Sequence, residues 1–106
     1  MQNVMSHEDV YHAIAAPTRR AILDELLVGE RSVGQLVEQF DVTQPAISQH
    51  LKVLREAGLV TRTSVGRERR YRLNAVRLRE VYDWVGHYQR FWRDKLDALG
   101  AYLDQP

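Results

Sequence analysis

The sequence contains no cysteine, few prolines and glycines, and no long apolar run. Without cysteine, disulfide scaffolds, thiolate metal sites and thiol redox sensing are excluded. No apolar stretch approaches the roughly 18 residues of a membrane span, and the start of the chain lacks the basic and apolar regions of a secretory signal. We therefore expect a cytoplasmic protein that makes no membrane contact.

A length of 106 residues and a hydrophobic content of 44% are typical of a single domain with a modest core, here residues 1–106. The formal net charge of +1 conceals an uneven distribution. Between Gln44 and Arg72 there are seven basic residues and two acidic ones, whereas the remainder carries eight basic and twelve acidic residues. This concentration of positive charge is typical of a phosphate-binding surface.

Apolar periodicity predicts helices in the first half of the chain. A first helix covers 6–15, and a second begins at Pro17, which fits a first helical turn, and ends before Gly29. Gln35 follows Ser32 by three residues, which is the spacing of a capping box and predicts a third helix over about 33–40.

Thr43 is a good N-cap for a fourth helix that ends before Gly58. Residues 33–57 therefore have the pattern of a helix-turn-helix, two short helices joined by a tight turn. One face of the fourth helix is apolar. Its opposite arc suits a DNA major groove, since Gln and Ser can bond to base edges and Lys or Arg to guanine or phosphate. The arc comprises Gln44, Ser48, Gln49, Lys52, Arg55 and Glu56.

We expect Thr43 and Lys52 to contact the DNA backbone. The alternative is a surface helix that happens to carry little charge. Residues 59–73 favour the first interpretation, because two β-rich runs, Leu59 to Val65 and Arg69 to Leu73, predict an arginine-rich hairpin beside the arc. A merely solvated hairpin would not explain that adjacency.

The segment 74–103 is predicted to be one long helix with Asn74 as its N-cap. Its apolar residues recur at alternating spacings of three and four, and they cover more surface than a monomer of five helices can bury. We expect this helix to pair with a second copy, although an intramolecular core helix is the alternative. A two-fold dimer would place two reading helices roughly 34 Å apart and so predicts an inverted-repeat operator. The predicted contacts are Val81, Val85, Tyr88, Trp92, Leu96 and Leu99.

Three segments resemble the ArsR family of bacterial winged-helix repressors: "APTRRAILDELL", "SVGQLVEQFDVTQPAISQHLKVLREAGLV" and "GRERRYRL". The resemblance runs from about Ala16 to Leu73. It implies a mostly α fold with a β-hairpin wing at 59–73, in which five helices include a long C-terminal dimerisation helix. It also implies a homodimeric transcriptional repressor of double-stranded operator DNA.

The resemblance assigns roles to particular residues. The first and last helices, 6–15 and 74–103, would form the dimer interface, which adds Val10 and Ile14 to the predicted contacts. Base contacts map onto Gln44, Ser48 and Gln49, and wing contacts to phosphate map onto Arg67, Arg69 and Arg70.

The chain departs from the family's metal sensors. Where arsenic and cadmium sensors carry Cys-x-Cys, this sequence has Ser32 and Gly34. Zinc and nickel sensors use paired Asp and His ligands on the last helix. Asp83 and His87 have a suitable spacing, but the cation Arg90 follows, and we interpret them as a surface pair. We expect no metal or other cofactor, and the effector is unknown. The alternative is a non-thiol metal site at the dimer interface.

Catalysis has little support in the sequence. There is no phosphate-cradling glycine-rich loop, HExxH or G-x-S-x-G motif, and Ser48 beside His50 lacks an orienting carboxylate. A packed or phosphate-touching role suits His50 better. We expect a sequence-specific DNA-binding regulator rather than an enzyme. The alternative is a winged-helix module that binds another protein through its aromatic last helix.

Overall fold

The computed structural model describes the backbone of residues 5–104 and the side chains of residues 10–104. Four helices precede a hairpin, and a shorter helical series follows it. The elements are α1 (Met5–Ala15), α2 (Pro17–Val28), β1 (Arg31–Ser32), α3 (Val33–Gln39), α4 (Gln44–Glu56), β2 (Val60–Val65), β3 (Glu68–Leu73), a 3-10 turn (Ala75–Leu78), α5 (Arg79–Gly86) and α6 (Gln89–Leu103).

Helices α1 to α4 and the sheet share one hydrophobic core. The predicted apolar face of α4 is confirmed, since Ile47, Leu51 and Leu54 are fully buried. Burial of each such side chain contributes about 1.5–3 kcal/mol relative to exposure. Because this face is fixed inward, the polar arc of α4 faces outward. The largest fully buried side chains are Val10, Ile22, Leu36, Ile47, Leu51, Leu54, Leu59 and Val60.

Helices α3 and α4 begin where their N-capping residues, Ser32 and Thr43, predict. The Ser32 hydroxyl accepts a hydrogen bond from the Gln35 amide at 3.2 Å, and the Gln35 side chain accepts one from the Ser32 amide at 2.8 Å. At the start of α4, Thr43 Oγ1 accepts from the Ala46 amide at 3.3 Å. These bonds satisfy amides that the first turn of a helix leaves unpaired.

The sheet has three antiparallel strands in the order β1-β3-β2. The predicted hairpin is confirmed as β2 and β3, with Val60 opposite Leu73 and Val65 opposite Glu68. Its tight turn places Gly66 at a φ of 63°, in the left-handed region that favours glycine. Strand β1 was not predicted from the sequence, because two residues are too short for an alternating pattern.

The prediction of one continuous helix over 74–103 is wrong. A 3-10 turn, α5 and α6 replace it, so the described residues form six α-helices rather than five. At the break the amides of His87 and Tyr88 bond to carbonyls three residues back, a tighter turn than an α-helix makes. Gly86, a poor helix former, immediately precedes this tightening.

The predicted capping role of Asn74 is also wrong. Its side chain makes no capping bond and instead donates to the Gly58 carbonyl at 3.0 Å, while its backbone amide donates to the Leu59 carbonyl at 2.8 Å. Asn74 therefore joins the end of the hairpin to the turn that follows α4.

Helix α6 extends away from the core, and none of its residues is buried. The radius of gyration is 18.2 Å and the longest dimension 63 Å, whereas a compact chain of this length would have a radius of about 13 Å. None of the helices in the described residues is both long and apolar enough to cross a membrane.

Candidate nucleic-acid interface

An open groove of about 550 Å³ lies between α4 and the wing. Five basic side chains line it against one acidic side chain, Glu68, so the groove concentrates positive charge. The polar and charged residues that α4 and the hairpin contribute are Gln44, Ser48, Lys52, Arg55, Arg62, Arg67, Glu68 and Arg69.

The predicted DNA-contacting residues of α4 fall into two sets. Gln44, Ser48 and Lys52 line the groove. Gln49 and Thr43 are exposed at the surface but are not among the groove-lining residues. The Thr43 oxygen accepts the capping bond from Ala46, so this side chain already stabilises the start of α4.

The wing arginines are also divided. Arg67 and Arg69 line the groove, as their predicted phosphate contacts require. Arg70 does not, because successive side chains of a strand point to opposite faces. Its guanidinium lies 3.3 Å from Glu30 and 3.0 Å from Glu68, and hydrogen bonding to Glu30, followed by the Glu68 charge, raises the pKa of Arg70.

Two further basic residues line the groove. The sequence placed Arg55 on the polar arc of α4 without naming it as a particular contact, and it counted Arg62 only in the charge balance. The alternation of side chains along the strands predicts that Arg62 lies on the groove face. Arg62 lies opposite Tyr71 in the antiparallel register, and Tyr71 shares the groove face with Arg69. On α4, Arg55 follows Lys52 by three residues and so lies on the same helical face.

His50 lies behind the polar arc of α4 and is not among the groove-lining residues. Its Nδ1 is 3.2 Å from a guanidinium nitrogen of Arg19. Partial burial and the charge of Arg19 lower the pKa of His50. Of the two roles suggested by the sequence, this contact favours a packed histidine.

The predicted dimer residues differ in exposure. Val10 is fully buried within the chain, so its side chain is not available to a partner, and Ile14 and Val81 are partly buried. The others are exposed: Val85 by 38%, Tyr88 by 50%, Trp92 by 57%, Leu96 by 66% and Leu99 by 53%.

Helix α1 contacts α5 within the chain. The Tyr11 ring meets Trp84 edge to face at a centroid distance of 6.0 Å, and Trp84 meets Tyr88 in the same way at 5.7 Å. The two regions predicted to form a dimer interface are therefore adjacent in one subunit.

No group of three or more His, Asp or Glu side chains in the described part of the chain could hold a metal ion. Asp83 lies 3.9 Å from Arg79, one helical turn away, in an exposed salt bridge.

A helix-turn-helix whose second helix lies beside a β-hairpin defines a winged-helix protein. Residues 16–62 match the family described as bacterial regulatory protein, arsR family. The chain belongs to the ArsR family, as its three resembling segments predict.

Relatives support this assignment over nearly the whole chain. The HTH-type transcriptional regulator Rv2034 of Mycobacterium tuberculosis is 36% identical over 104 residues, covering 98% of this chain and 94% of the relative. The transcriptional repressor SdpR of Bacillus subtilis is 36% identical over 77 residues, covering 73% and 86%. The structure of an ArsR-like transcriptional regulator from Rhodococcus sp. RHA1 has a TM-score of 0.74 and 29% identity, and the match covers 97% of both chains.

Proposed function

We propose that the chain is a homodimeric transcriptional repressor that binds an inverted-repeat operator. The observation that carries this proposal is the groove between α4 and the wing, where five basic side chains adjoin exposed Gln and Ser side chains. Relatives named as transcriptional repressors give further support. The protein acts on DNA in the cytoplasm as a regulator rather than an enzyme, and no effector is assigned to it.

In the bound state, α4 enters the major groove as the recognition helix. Gln44 and Ser48 contact base edges from the groove side, and Gln49 does so from the exposed side of the same helix. Thr43, at the N-terminus of the recognition helix, contacts the DNA backbone. The phosphate contacts come from Lys52, Arg55, Arg62, Arg67 and Arg69, and Arg70 is not among them.

The partner that covers α5 and α6 is a second copy of the chain. A monomer leaves Trp92, Leu96 and Leu99 more than half exposed, and such a continuous apolar face is typical of an association surface. A two-fold pair would present two recognition helices to successive major grooves, roughly 34 Å apart. One dimer would then contact both half-sites of the operator at once, and the two sets of contacts would contribute together to its affinity.

A gel shift with DNA from upstream of the protein's own gene tests this proposal. We expect a shift at low salt, competition by the same duplex but not by a random duplex, and a steep loss of affinity as salt increases. The shifted species should contain two chains. Absence of any shift at low salt would reject the repressor and favour the alternative, a module that binds another protein through α6.

A further inference from the structure

We infer that Arg19 is a positioning residue for DNA recognition, which fixes the orientation of α4 by joining it, through His50, to the end of α1. This inference rests on the proposed function, because it is measured as operator affinity. It assigns a role to two side chains that lie outside the groove.

One guanidinium joins three helices at this point. Arg19 lies in the first turn of α2. Its Nε donates to the Ala13 carbonyl at 2.8 Å and its Nη2 to the His12 carbonyl at 3.1 Å, both in the last turn of α1. Its Nη1 lies 3.2 Å from His50 Nδ1 on α4. The five N–H donors of a planar guanidinium can serve all three acceptors at once.

The contact requires a neutral His50. Arginine can only donate, so Nδ1 must carry the lone pair and the ring proton must reside on Nε2. Partial burial and the facing charge of Arg19 lower the pKa of His50 and so favour this form. Helix α1 contributes the carbonyl oxygens of His12 and Ala13 to the cluster, and Arg19 on α2 is the charged group that acts on the ring.

The location of the contact suits a positioning role. The inward face of α4 is held by apolar packing, which is not directional. A hydrogen bond at His50, on another side of the helix from Ser48 and Lys52, restrains its rotation about its own axis. Helix α1 also contacts Trp84 of α5 through Tyr11, so the proposed dimer face and the recognition helix are joined to the same element.

Arg20 provides a matched control. It has the same charge and follows Arg19 directly, and its Nη1 donates to the carbonyls of Ile14 and Ala15 at 2.8 and 3.2 Å. Both of these acceptors lie at the end of α1, so the hydrogen bonds of Arg20 join α2 to α1 and not to α4. Arg20→Ala therefore removes a cation and carbonyl contacts at the end of α1 while leaving α1 joined to α4.

The experiment compares operator affinity among Arg19→Ala, Arg20→Ala, His50→Ala and His50→Asn. In His50→Asn, the side-chain oxygen occupies roughly the position of Nδ1 and can still accept from Arg19. We expect Arg19→Ala and His50→Ala each to weaken operator binding roughly tenfold. The double variant that carries both substitutions should bind no more weakly than the single variant with the lower affinity, because both substitutions remove the same contact. Arg20→Ala and His50→Asn should stay within about twofold of wild type.

A second readout follows His50 directly. In a histidine NMR titration, Arg19→Ala should raise the pKa of His50, and Arg20→Ala should leave it unchanged. Equal affinity losses for Arg19→Ala and Arg20→Ala would overturn the inference, as would equal losses for His50→Asn and His50→Ala. If Arg19→Ala does not fold, the two His50 variants decide the question. A wild-type protein that binds no duplex would reject the proposed function, whereas wild-type binding with unchanged Arg19→Ala affinity would reject this inference alone.

Discussion

Arg69 and Arg70 are neighbours in β3, yet they lie on opposite sides of the wing. Arg69 lines the groove beside α4, whereas Arg70 is paired with Glu30 and Glu68. The two side chains carry equal charge, but only Arg69 is placed to meet a phosphate without first breaking ion pairs. Substitutions at these two adjacent positions can therefore distinguish the loss of a DNA contact, at Arg69, from the loss of ion pairs within the protein, at Arg70.

We expect Arg69→Ala to weaken binding to cognate and random duplexes about equally. Removing one phosphate contact should lower the slope of log affinity against log salt by roughly one unit. Arg70→Ala is the matched control and should leave the slope nearly unchanged. Fluorescence anisotropy titrations over a range of salt concentrations measure both slopes, and equal changes in the two variants would contradict the assignment.

Gln44→Ala should act on sequence specificity. We expect a loss on the order of 1–3 kcal/mol on the cognate duplex, because a base contact disappears, and a much smaller loss on a random duplex. Gln39 is exposed on α3 and does not line the groove, so Gln39→Ala is the control. Competition binding with both duplexes measures the difference, and equal losses for Gln44→Ala would reject its role as a reader.

Most of the core fold could be predicted from the sequence, because local signals there agree with tertiary packing. The capping residues Ser32 and Thr43 and the apolar face of α4 fix where the helix-turn-helix begins and which way it faces. The break at His87 is different. A single glycine is tolerated within many helices, so Gly86 does not by itself predict an interruption.

The candidate site was predicted less completely than the fold. Periodicity identifies which residues share a face of α4, but it does not show that the side chain of Arg70 meets Glu30, which lies 40 residues earlier in the sequence. Strand alternation does separate Arg69 from Arg70 and place Arg62 with Arg69. The Arg19 contact with His50 depends on how α2 packs on α4, and no local pattern contains that information.

Thr43→Ala should reduce stability through its cap. Loss of the bond from the Ala46 amide to Thr43 should lower the free energy of unfolding by about 1 kcal/mol. Ser48→Ala removes a hydroxyl from the groove face of the same helix, and we expect it to leave stability nearly unchanged while weakening operator binding. Urea unfolding monitored by circular dichroism tests both variants, and equal stability losses would count against the capping assignment.

Leu96→Glu should dissociate the proposed dimer. Leu96 is 66% exposed on α6, so the substitution leaves the core of one chain intact but places a charge in the apolar face that a second copy would cover. Val65→Glu, at a side chain that is 58% exposed on the wing, is the control and should remain dimeric. Sedimentation equilibrium measures both masses. A wild-type monomer, or a dimeric Leu96→Glu variant, would contradict the proposed interface.

His50 should make stability depend on pH. The pKa of His50 is lowered from its ordinary value of 6.5 by burial and by Arg19. At a pH between the folded-state and unfolded-state pKa values, His50 is therefore protonated in the unfolded chain and neutral in the folded chain. The stabilisation is complete above the unfolded-state pKa and is lost as pH falls through the lowered folded-state pKa. Urea unfolding from about pH 5 to 8 should show a larger decrease for wild type than for His50→Asn. Parallel curves would contradict the shift.

Glu30 lies near both Arg70 and Arg72, at 3.3 and 3.6 Å, and so neutralises much of one side of the hairpin from within the same chain. A polyanion then experiences attraction mainly from the other side. The direction in which a duplex can approach is thus set by where the carboxylates lie, as much as by where the arginines lie. Reversing the charge of this single glutamate would make the second side of the hairpin attractive as well, and would weaken the preference of a polyanion for the groove side.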